Sequence, residues 1–274
     1  MPNKANQIPN LEQDHALLIS AVRKAGDIAR KYFHSDFEKW DKKAGDPVTE
    51  ADIAIDKFLH DELMRARPNF GWLSEESKDD QSRLNCDRVW LVDPIDGTRA
   101  FIKRRPHFVI SVALATEGNP IAGAIYNPIT EEFYEATKGS GARCNGQPIR
   151  TSRQRELPGC RMLGDPDLFR HPAWRKPWPE MTIETRNSIA YRMALVAAGK
   201  WDACLTLSGK SDWDIAAGDI IVREAGGIVT THTGEPLRYN RPETRLPSII
   251  AAGPPLHQEI LARVSHIKLP APSP

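Results

Sequence analysis

The spacing of apolar residues predicts a series of amphipathic helices along the chain. Apolar residues recur every three or four positions in five stretches, which is the period of a helix with one buried face. These stretches are residues 11–33, 49–63, 188–200, 215–225 and 255–264. Thr49 begins the second stretch and is followed by Asp52 three positions on, which predicts a capping box. Asp214 takes a similar place in or beside the first turn of the fourth helix.

Shorter apolar runs between the helices predict strands. They lie at residues 70–74, 90–92, 108–115, 120–126, 132–136, 201–207, 228–231 and 247–252. Turn sequences such as Asn127-Pro128 and Asn145-Gly146 separate several of them. Polar or charged loops are expected at residues 39–47 and 78–87, with disorder up to about Pro9 and a loose tail over 269–274. The mixture of helices and strands predicts an α/β protein.

Residues 151–180 interrupt this order, because they are rich in Pro, Arg and Trp and show little periodicity. We therefore expect a boundary between two halves there. Residues 1–150 would form an N-terminal α+β half, and residues 151–274 a C-terminal α/β half that completes the site. A chain of 274 residues is long enough for two closely packed halves with a substantial core.

Composition and charge argue against several classes of function. The net charge is +1, so no overall field favours a nucleic-acid polymer or a membrane surface. The apolar runs are too short to span a membrane, and the polar start of the chain lacks the apolar core of a signal peptide. The four cysteines are scattered without a CxxC pair, which is typical of reduced thiols. We therefore expect a cytoplasmic protein that binds neither nucleic-acid polymers nor membranes.

The most informative stretch is residues 90–101, Trp-Leu-Val-Asp-Pro-Ile-Asp-Gly-Thr-Arg-Ala-Phe. Its apolar start predicts the end of a buried strand, which should stop at Pro94 because proline cannot donate to a sheet ladder. Asp93 and Asp96 then lie where the strand opens into a loop. Two close carboxylates repel each other unless a cation lies between them. Hard oxygen ligands of this kind suit Mg²⁺, which keeps places for water and phosphate oxygens.

The residues after the second aspartate add groups that suit an anion. Gly97 lets the backbone approach a ligand closely. Thr98 adds a hydroxyl, and the N–H groups of this loop could hold an anion. The plain alternative is that Asp-Pro and Asp-Gly form an ordinary turn with solvated acids.

Other charged residues also have both a functional and an ordinary interpretation. Glu75 and Glu76 follow a predicted strand and could be solvated surface acids. Asp52 and Asp214 could serve only as acids in the first turn of a helix. The basic run at residues 103–105 could be a solvated loop or a positive rim that attracts anionic substrates.

Four groups of residues resemble the motifs of the inositol monophosphatase family, in the family's order and over most of the chain. They are Thr49-Glu50-Ala51-Asp52, Glu75-Glu76-Ser77, Asp93-Pro94-Ile95-Asp96-Gly97-Thr98, and Trp213-Asp214-Ile215-Ala216-Ala217-Gly218 with Glu224-Ala225-Gly226-Gly227. This resemblance implies a layered α/β/α/β sandwich and a Mg²⁺-dependent phosphomonoesterase with two or three metal ions. It also implies a small phosphorylated substrate, inhibition by Li⁺ and a homodimer.

The resemblance assigns roles by matching position. The residues that would ligate metal are Glu75, Asp93, Ile95 through its carbonyl, Asp96 and Asp214. The residues that would contact substrate are Asp96, Gly97, Thr98 and Asp214. The residues that would take part in catalysis are Asp52, Glu75 and Thr98. Thr98 would orient or activate the attacking water, and two metal ions about 4 Å apart can neutralise the phosphate and lower the pKa of that water.

Two other classes of function remain open. Haloacid-dehalogenase phosphatases use an aspartate nucleophile in a D-x-D-G-T loop. Here the two acids are one place farther apart, and a proline follows the first. A member of the inositol monophosphatase family that acts only as a regulatory binding partner would need no turnover, although every expected metal carboxylate is present.

The leading substrate is a 3′(2′),5′-bisphosphate nucleotide, with inositol 1-phosphate and histidinol phosphate as alternatives. Inositol monophosphatases usually place a substrate-binding glutamate six residues before the Trp-Asp motif, and that position here is Leu207. A guanidinium can bind a phosphate through two donors. The cations near the matched motifs are Lys103, Arg104, Arg105, Arg192 and Lys210.

Overall fold

A computed structural model of the chain describes residues 10–43, 45–172 and 174–269. In this part of the chain, helices α1 to α7 are Leu11–Phe33, Glu50–Ala66, Thr98–Ile102, Pro166–Arg170, Ile189–Ala197, Asp212–Glu224 and Pro254–Val264. Strands β1 to β8 are Lys39–Lys43, Asp46–Thr49, Gly71–Ser74, Arg88–Asp96, Val109–Thr116, Asn119–Asn127, Glu132–Thr137 and Ala142–Cys144. Strands β9 to β16 are Gln147–Pro148, Arg161–Leu163, Thr182–Glu184, Ala203–Thr206, Lys210–Ser211, Ile228–Thr230, Arg245–Leu246 and Ile249–Ala252.

The first half of the chain builds a seven-stranded sheet between two layers of helices. Its strand order is β3-β4-β5-β6-β7-β8-β9, with β3 and β4 parallel and the later pairs antiparallel. Along β4, Trp90 and Val92 pack in the core with α1 and α2, whereas Val89 and Leu91 pack in the core with α5 and α6. Because both faces of the sheet are buried, its strands form continuous apolar runs.

A five-stranded sheet of order β11-β10-β12-β16-β14 forms the next layer. In β12, Cys204 joins the core shared with α5 and α6, and Leu205 joins a separate core shared with α7. The layers therefore run helix, sheet, helix and sheet, which confirms the predicted sandwich. Helix α7 covers the outer face of the second sheet as a fifth layer.

The structure corrects two predictions at the start of the site. Residues 39–47 are not a simple loop, because β1 and β2 pair as an antiparallel hairpin. Every residue of β1 is exposed, so no apolar alternation marked it. Strand β4 does not stop at Pro94 but continues to Asp96, with a shift in register between Asp93 and Asp96. Proline is tolerated at such an irregularity, where the regular ladder is already interrupted.

Short elements occupy the region that showed little periodicity. Strand β10 and helix α4 both lie within residues 151–180, and three to five residues are too few to show a hydrophobic period. The division at residues 150 and 151 stays a prediction. The expected disorder up to Pro9 and the expected tail from residue 270 lie outside the described residues. No helix in the described part of the chain has the length and apolar character needed to cross a membrane.

Candidate active site

The candidate site lies where the parallel strands β3 and β4 end side by side. Glu75 directly follows β3, and its backbone N–H donates to the carbonyl of Val92 at 3.2 Å. Asp93 and Asp96 lie at the end of β4. Three of the predicted acids therefore meet at one edge of the seven-stranded sheet.

Two helices bring their first turns to the same edge. Asp52 on α2 accepts hydrogen bonds from the Thr49 N–H at 2.9 Å and from the Thr49 hydroxyl at 2.5 Å. Asp214 on α6 accepts a hydrogen bond from the Ser211 N–H at 2.7 Å. Both helices begin with a capping box. The two aspartates are therefore helix caps as well as neighbours of the strand-end acids, so the ordinary and the functional interpretation apply to the same carboxylates.

Three carboxylates converge closely enough to share a cation. Oxygens of Glu75, Asp93 and Asp214 all lie within 4.8 Å of one another. Asp93 is 1% exposed, and its Oδ1 has no hydrogen-bond partner among the described residues. Burial, together with the neighbouring acids, raises the pKa of Asp93 well above its usual value and the pKa of Asp214 to about 7. Because a buried carboxylate oxygen without a donor costs free energy, this donor set fits a divalent cation such as Mg²⁺.

Asp96 is held differently from the other acids. Its Oδ2 accepts hydrogen bonds from the Ser188 hydroxyl and the Ala190 N–H, both at 2.6 Å. Burial raises the pKa of Asp96 to about 6, while these hydrogen bonds oppose the shift. Its negative charge contributes to the raised pKa of Asp214, so the two acids interact electrostatically. The start of α5 thus joins the site. The sequence shows Ser188 only as the beginning of a helix, so its contact with Asp96 was missed.

Thr98 lies between an acid and a backbone carbonyl. Its hydroxyl oxygen is 3.1 Å from Asp52 Oδ1 and 3.1 Å from the carbonyl oxygen of Ile95. Burial raises the pKa of Asp52 to about 6, although hydrogen bonds from Thr49 and Thr98 oppose the shift. A carboxyl group with this pKa, in contact with a hydroxyl, is suited to proton transfer near neutral pH.

The backbone before Thr98 requires glycine. Gly97 has a φ of +104°, and a Cβ atom there would lie 2.8 Å from the carbonyl oxygen of His107. The loop forms one wall of a cleft of about 190 Å³ that is also lined by Glu75 and Asn187. An anion held by the N–H groups of this loop would therefore lie beside the acid cluster.

Two of the predicted substrate cations have other partners. The Arg104 guanidinium lies 4.5 Å from the ring centre of Phe37 and 5.7 Å from that of Phe33, and it donates to backbone carbonyls at the end of α1. Arg192 donates to the carbonyl of Arg186 at 2.6 Å. These contacts brace the surrounding loops, so neither guanidinium is presented to the cleft.

Two lysines do face the acids. Lys42 on β1 lies 3.2 Å from Glu75 and 2.9 Å from Glu76, and it was missed because its strand was predicted to be a loop. Lys210 on β13 has no side-chain hydrogen bond or ion pair with any residue that the structure describes. Its positive charge nevertheless favours the ionised form of Asp96. Lys210 is therefore the cation among the predicted five that lies near the acids without a committed partner.

Leu207 does not face the acids. It packs, like Leu205, against the core around α7, whereas Cys204 belongs to the core around α5. Because side chains alternate along a strand, Thr206 lies on the Cys204 face. Leu207, six positions before Trp213, therefore packs on the α7 side of the second sheet, and its effect on inositol binding stays a prediction.

Comparisons with known proteins agree with this geometry. The model of the inositol monophosphatase family matches residues 10–269. The Nus factor SuhB of Escherichia coli strain K12 is 35% identical over 229 residues, which are 80% of this chain and 85% of that protein. An inositol-1-monophosphatase of Rhizobium meliloti strain 1021 is 35% identical over 228 residues, again 80% and 85% of the two chains.

Solved structures show the same fold. SaIMPase-II with 2′AMP bound superposes with a TM-score of 0.79 at 25% identity, over 93% of this chain and 94% of that one. SaIMPase-II with inositol monophosphate bound superposes with a TM-score of 0.76 at 25% identity, over 91% and 92% of the two chains.

The layered fold, the acid cluster and the glycine loop define a phosphoric monoester hydrolase. The chain belongs to the inositol monophosphatase family.

Proposed function

We propose that the chain is a Mg²⁺-dependent phosphatase of small phosphorylated metabolites. The observation that carries this proposal is an oxygen of the buried Asp93 that has no hydrogen-bond partner among the described residues and lies within a cluster of three acids. The residues that would hold two or three Mg²⁺ ions are Glu75, Asp93, Ile95 through its carbonyl, Asp96 and Asp214. Bound Mg²⁺ supplies positive charge against the phosphate and lowers the pKa of a coordinated water.

The chain's own groups would bind the phosphate and move the proton. The N–H groups of Gly97 and Thr98 would hold phosphate oxygens, because they lie at the start of α3 in the cleft wall. The Thr98 hydroxyl would orient the attacking water and pass its proton to Asp52, whose Oδ1 is 3.1 Å away. The new oxygen–phosphorus bond would form as the bond to the leaving oxygen breaks, and the leaving oxygen would take a proton from solvent to depart as an alcohol. Asp96 and Asp214 would also contact the substrate.

The metal requirement has a direct test. The purified chain is assayed on a generic phosphomonoester with Mg²⁺, with excess chelator, and after Mg²⁺ is restored. We expect activity to disappear with chelator and to return with the metal, and Li⁺ to inhibit in a titration. Full activity in excess chelator would contradict the proposal.

The leading substrate is a 3′(2′),5′-bisphosphate nucleotide. Its second phosphate would be the partner of Lys210, whose ammonium group is near the acids and unpaired among the described residues. A charged hydrogen bond of this kind contributes about 1.5–3 kcal/mol, enough to set a preference. The complex of SaIMPase-II with 2′AMP supports a nucleotide in a pocket of this fold. Arg104 and Arg192 give no support, because their guanidinium groups donate to backbone carbonyls.

The substrate test compares kcat/KM for two substrates, in the native chain and in two variants. We expect kcat/KM for adenosine 3′,5′-bisphosphate to exceed that for inositol 1-phosphate, and Lys210→Met to lower this ratio about tenfold. Lys103→Met is the matched control, since Lys103 is an exposed lysine of the basic run at residues 103–105. A native ratio below one, or equal effects of the two variants, would count against the nucleotide.

Inositol 1-phosphate is the second candidate. SaIMPase-II with inositol monophosphate bound is the observation that favours it. Histidinol phosphate belongs in the same panel. Similar kcat/KM values across the panel would indicate a broad monophosphatase. A selective pocket would discriminate, because a mismatched substrate leaves buried polar groups without partners.

A regulatory role is the alternative from another class, since the Escherichia coli relative is a Nus factor. The catalytic and the regulatory role can be distinguished by replacing the native chain in its host with the Asp93→Asn variant. Loss of the chain's cellular role with the variant would support catalysis. A fully functional variant without turnover would support a binding role.

The oligomeric state and the cellular location of the chain are also proposed. We propose a cytoplasmic homodimer, on the family resemblance and the scattered cysteines. Sedimentation of the purified chain at working concentration tests the dimer, and a monomer there would contradict it. Fractionation of host cells tests the location.

A further inference from the structure

One buried carboxylate on α2 holds both ends of the segment that carries Glu75 and Glu76. Asp56 is 8% exposed and lies one helical turn after the capping aspartate of α2. Its Oδ1 accepts a hydrogen bond from the Ser74 hydroxyl at 2.5 Å, and its Oδ2 accepts one from the Ser77 hydroxyl at 2.6 Å. Each carboxylate oxygen therefore fixes one end of residues 74–77.

Further hydrogen bonds connect the interior of this segment to the same group. The Ser74 oxygen accepts from the Glu76 N–H at 3.4 Å. The Ser77 oxygen accepts from the Trp72 indole N–H at 3.3 Å. Each serine hydroxyl therefore accepts a hydrogen bond from the segment or from β3 and donates one to Asp56. Hydrogen bonds to an ionised carboxylate are shorter and about twice as strong as neutral ones, which suits a group that fixes a loop.

We infer that Asp56 is a positioning residue that sets the cation affinity of the site by aiming Glu75. The inference rests on the proposed function, because it assigns Asp56 to the same metal site. The Glu75 N–H is fixed to β4, and Lys42 lies 3.2 Å from its 26% exposed side chain. The backbone on both sides of Glu75 is held by Asp56 through Ser74 and Ser77. Partners that orient metal ligands typically change metal affinity by 10–100-fold when removed. Asp56 is neither among the residues that line the cleft nor one of the three acids of the cluster, so it would act on the metal through the segment that carries Glu75.

The experiment measures Mg²⁺ binding directly, on the full chain freed of metal, by titration calorimetry. The variants are Asp56→Asn and Ser77→Ala, with Asp61→Asn as a control on an exposed position of the same helix. We expect Asp56→Asn to raise the Kd for Mg²⁺ by about tenfold or more. Ser77→Ala removes one of the two hydrogen bonds and should raise the Kd less. Asp61→Asn should leave it unchanged.

Measurements of kcat and of the unfolding temperature show whether Asp56 positions Glu75 or only stabilises the fold. If Asp56 positions Glu75, kcat of Asp56→Asn should return near the native value at saturating Mg²⁺. The double variant with Ser77→Ala should have a Kd for Mg²⁺ little higher than that of Asp56→Asn, because both substitutions remove the same contact. A lower unfolding temperature with native Mg²⁺ affinity in both single variants would overturn the inference and leave a structural role. If Asp56→Asn does not fold, Ser77→Ala alone decides. A native chain that binds no Mg²⁺ would instead overturn the proposed function, and the inference with it.

Discussion

The two ends of strand β4 place buried carboxylates in opposite circumstances. At its start, Asp14 from α1 accepts hydrogen bonds from Arg67 at 2.6 Å and from Arg88 at 2.5 Å. At its end, Asp93 has an oxygen without a partner among the described residues, and other acids surround it. Asp14 is 0% exposed and Asp93 is 1% exposed, so burial does not distinguish them. The difference lies in charge compensation.

This contrast separates an acid that supports the fold from one that serves function. Asp14 joins α1, the end of α2 and the start of β4 through two guanidinium groups. Burying a charge is tolerated when a partner compensates it, and removing that partner is destabilising. Burial and the neighbouring acids disfavour the charged form of Asp93, so we expect this acid to lower the stability of the metal-free chain. Acids that are buried together with raised pKa values are typical of functional sites.

The largest effect is expected from Asp93→Asn. The variant should lose turnover by orders of magnitude, because an amide is a poor substitute for a carboxylate in a divalent cation site. Its metal-free form should unfold at the native temperature or above, since one repelling charge is gone. Steady-state kinetics and thermal unfolding test the two halves of this prediction. Native turnover in the variant would show that Asp93 is not a ligand that the reaction needs.

Asp14→Asn should give the opposite pattern. We expect the free energy of unfolding to fall by about 3 kcal/mol, because the buried Asp14 no longer supplies a counter-charge to two half-buried guanidinium groups. Turnover per folded molecule should stay native, as Asp14 lies at the far end of β4 from the cleft. Denaturant unfolding and activity at low temperature measure both quantities. A variant of native stability would mean that the ion pairs at Asp14 are not what holds α1 to the sheet.

Thr98→Ala should reduce rate more than affinity. Its hydroxyl is proposed to act on the attacking water, while the backbone N–H groups that hold phosphate remain. We expect kcat to fall about 10–100-fold, at or below the usual range for a positioned proton-transfer group, with KM nearly unchanged. A large rise in KM with native kcat would reassign Thr98 to substrate binding. Thr130→Ala, a loop threonine away from the cleft, is the matched control.

The helices and the main motifs were predictable because their signals are local. The period of α1 matched the structure from residue 11 to residue 33, and the capping box at Thr49 was present. These features depend on residues a few positions apart, which a sequence displays directly.

The errors have a common physical origin, because each depended on packing between distant parts of the chain. The contact of Ser188 with Asp96 joins residues 92 positions apart. Arg104 was assigned to the substrate by proximity in sequence, but the aromatic rings of Phe33 and Phe37 take its guanidinium.

The smallest effect is a dependence of metal-free stability on pH, which separates the two ends of β4 once more. An acid whose pKa is raised in the folded state keeps its proton at pH values where the unfolded chain has released it. The free energy of unfolding therefore falls as pH rises between the two pKa values. For Asp214 this window runs from the usual 3.8 to about 7. The metal-free chain should therefore unfold at a lower temperature at pH 8 than at pH 5.5. Each unit of raised pKa is worth at most about 1.4 kcal/mol.

The control for this pH effect uses the two variants already described. Mg²⁺ should recover more stability at pH 8 than at pH 5.5, because the ion binds the deprotonated cluster. Asp93→Asn should flatten the pH dependence, since fewer acids compete for protons. Asp14→Asn should lower stability at both pH values and leave the slope as it was, because its carboxylate lies at the other end of β4. An equal slope in the native chain and in Asp93→Asn would place the titrating groups outside the cluster, and the contrast between the two ends would then rest on hydrogen bonding alone.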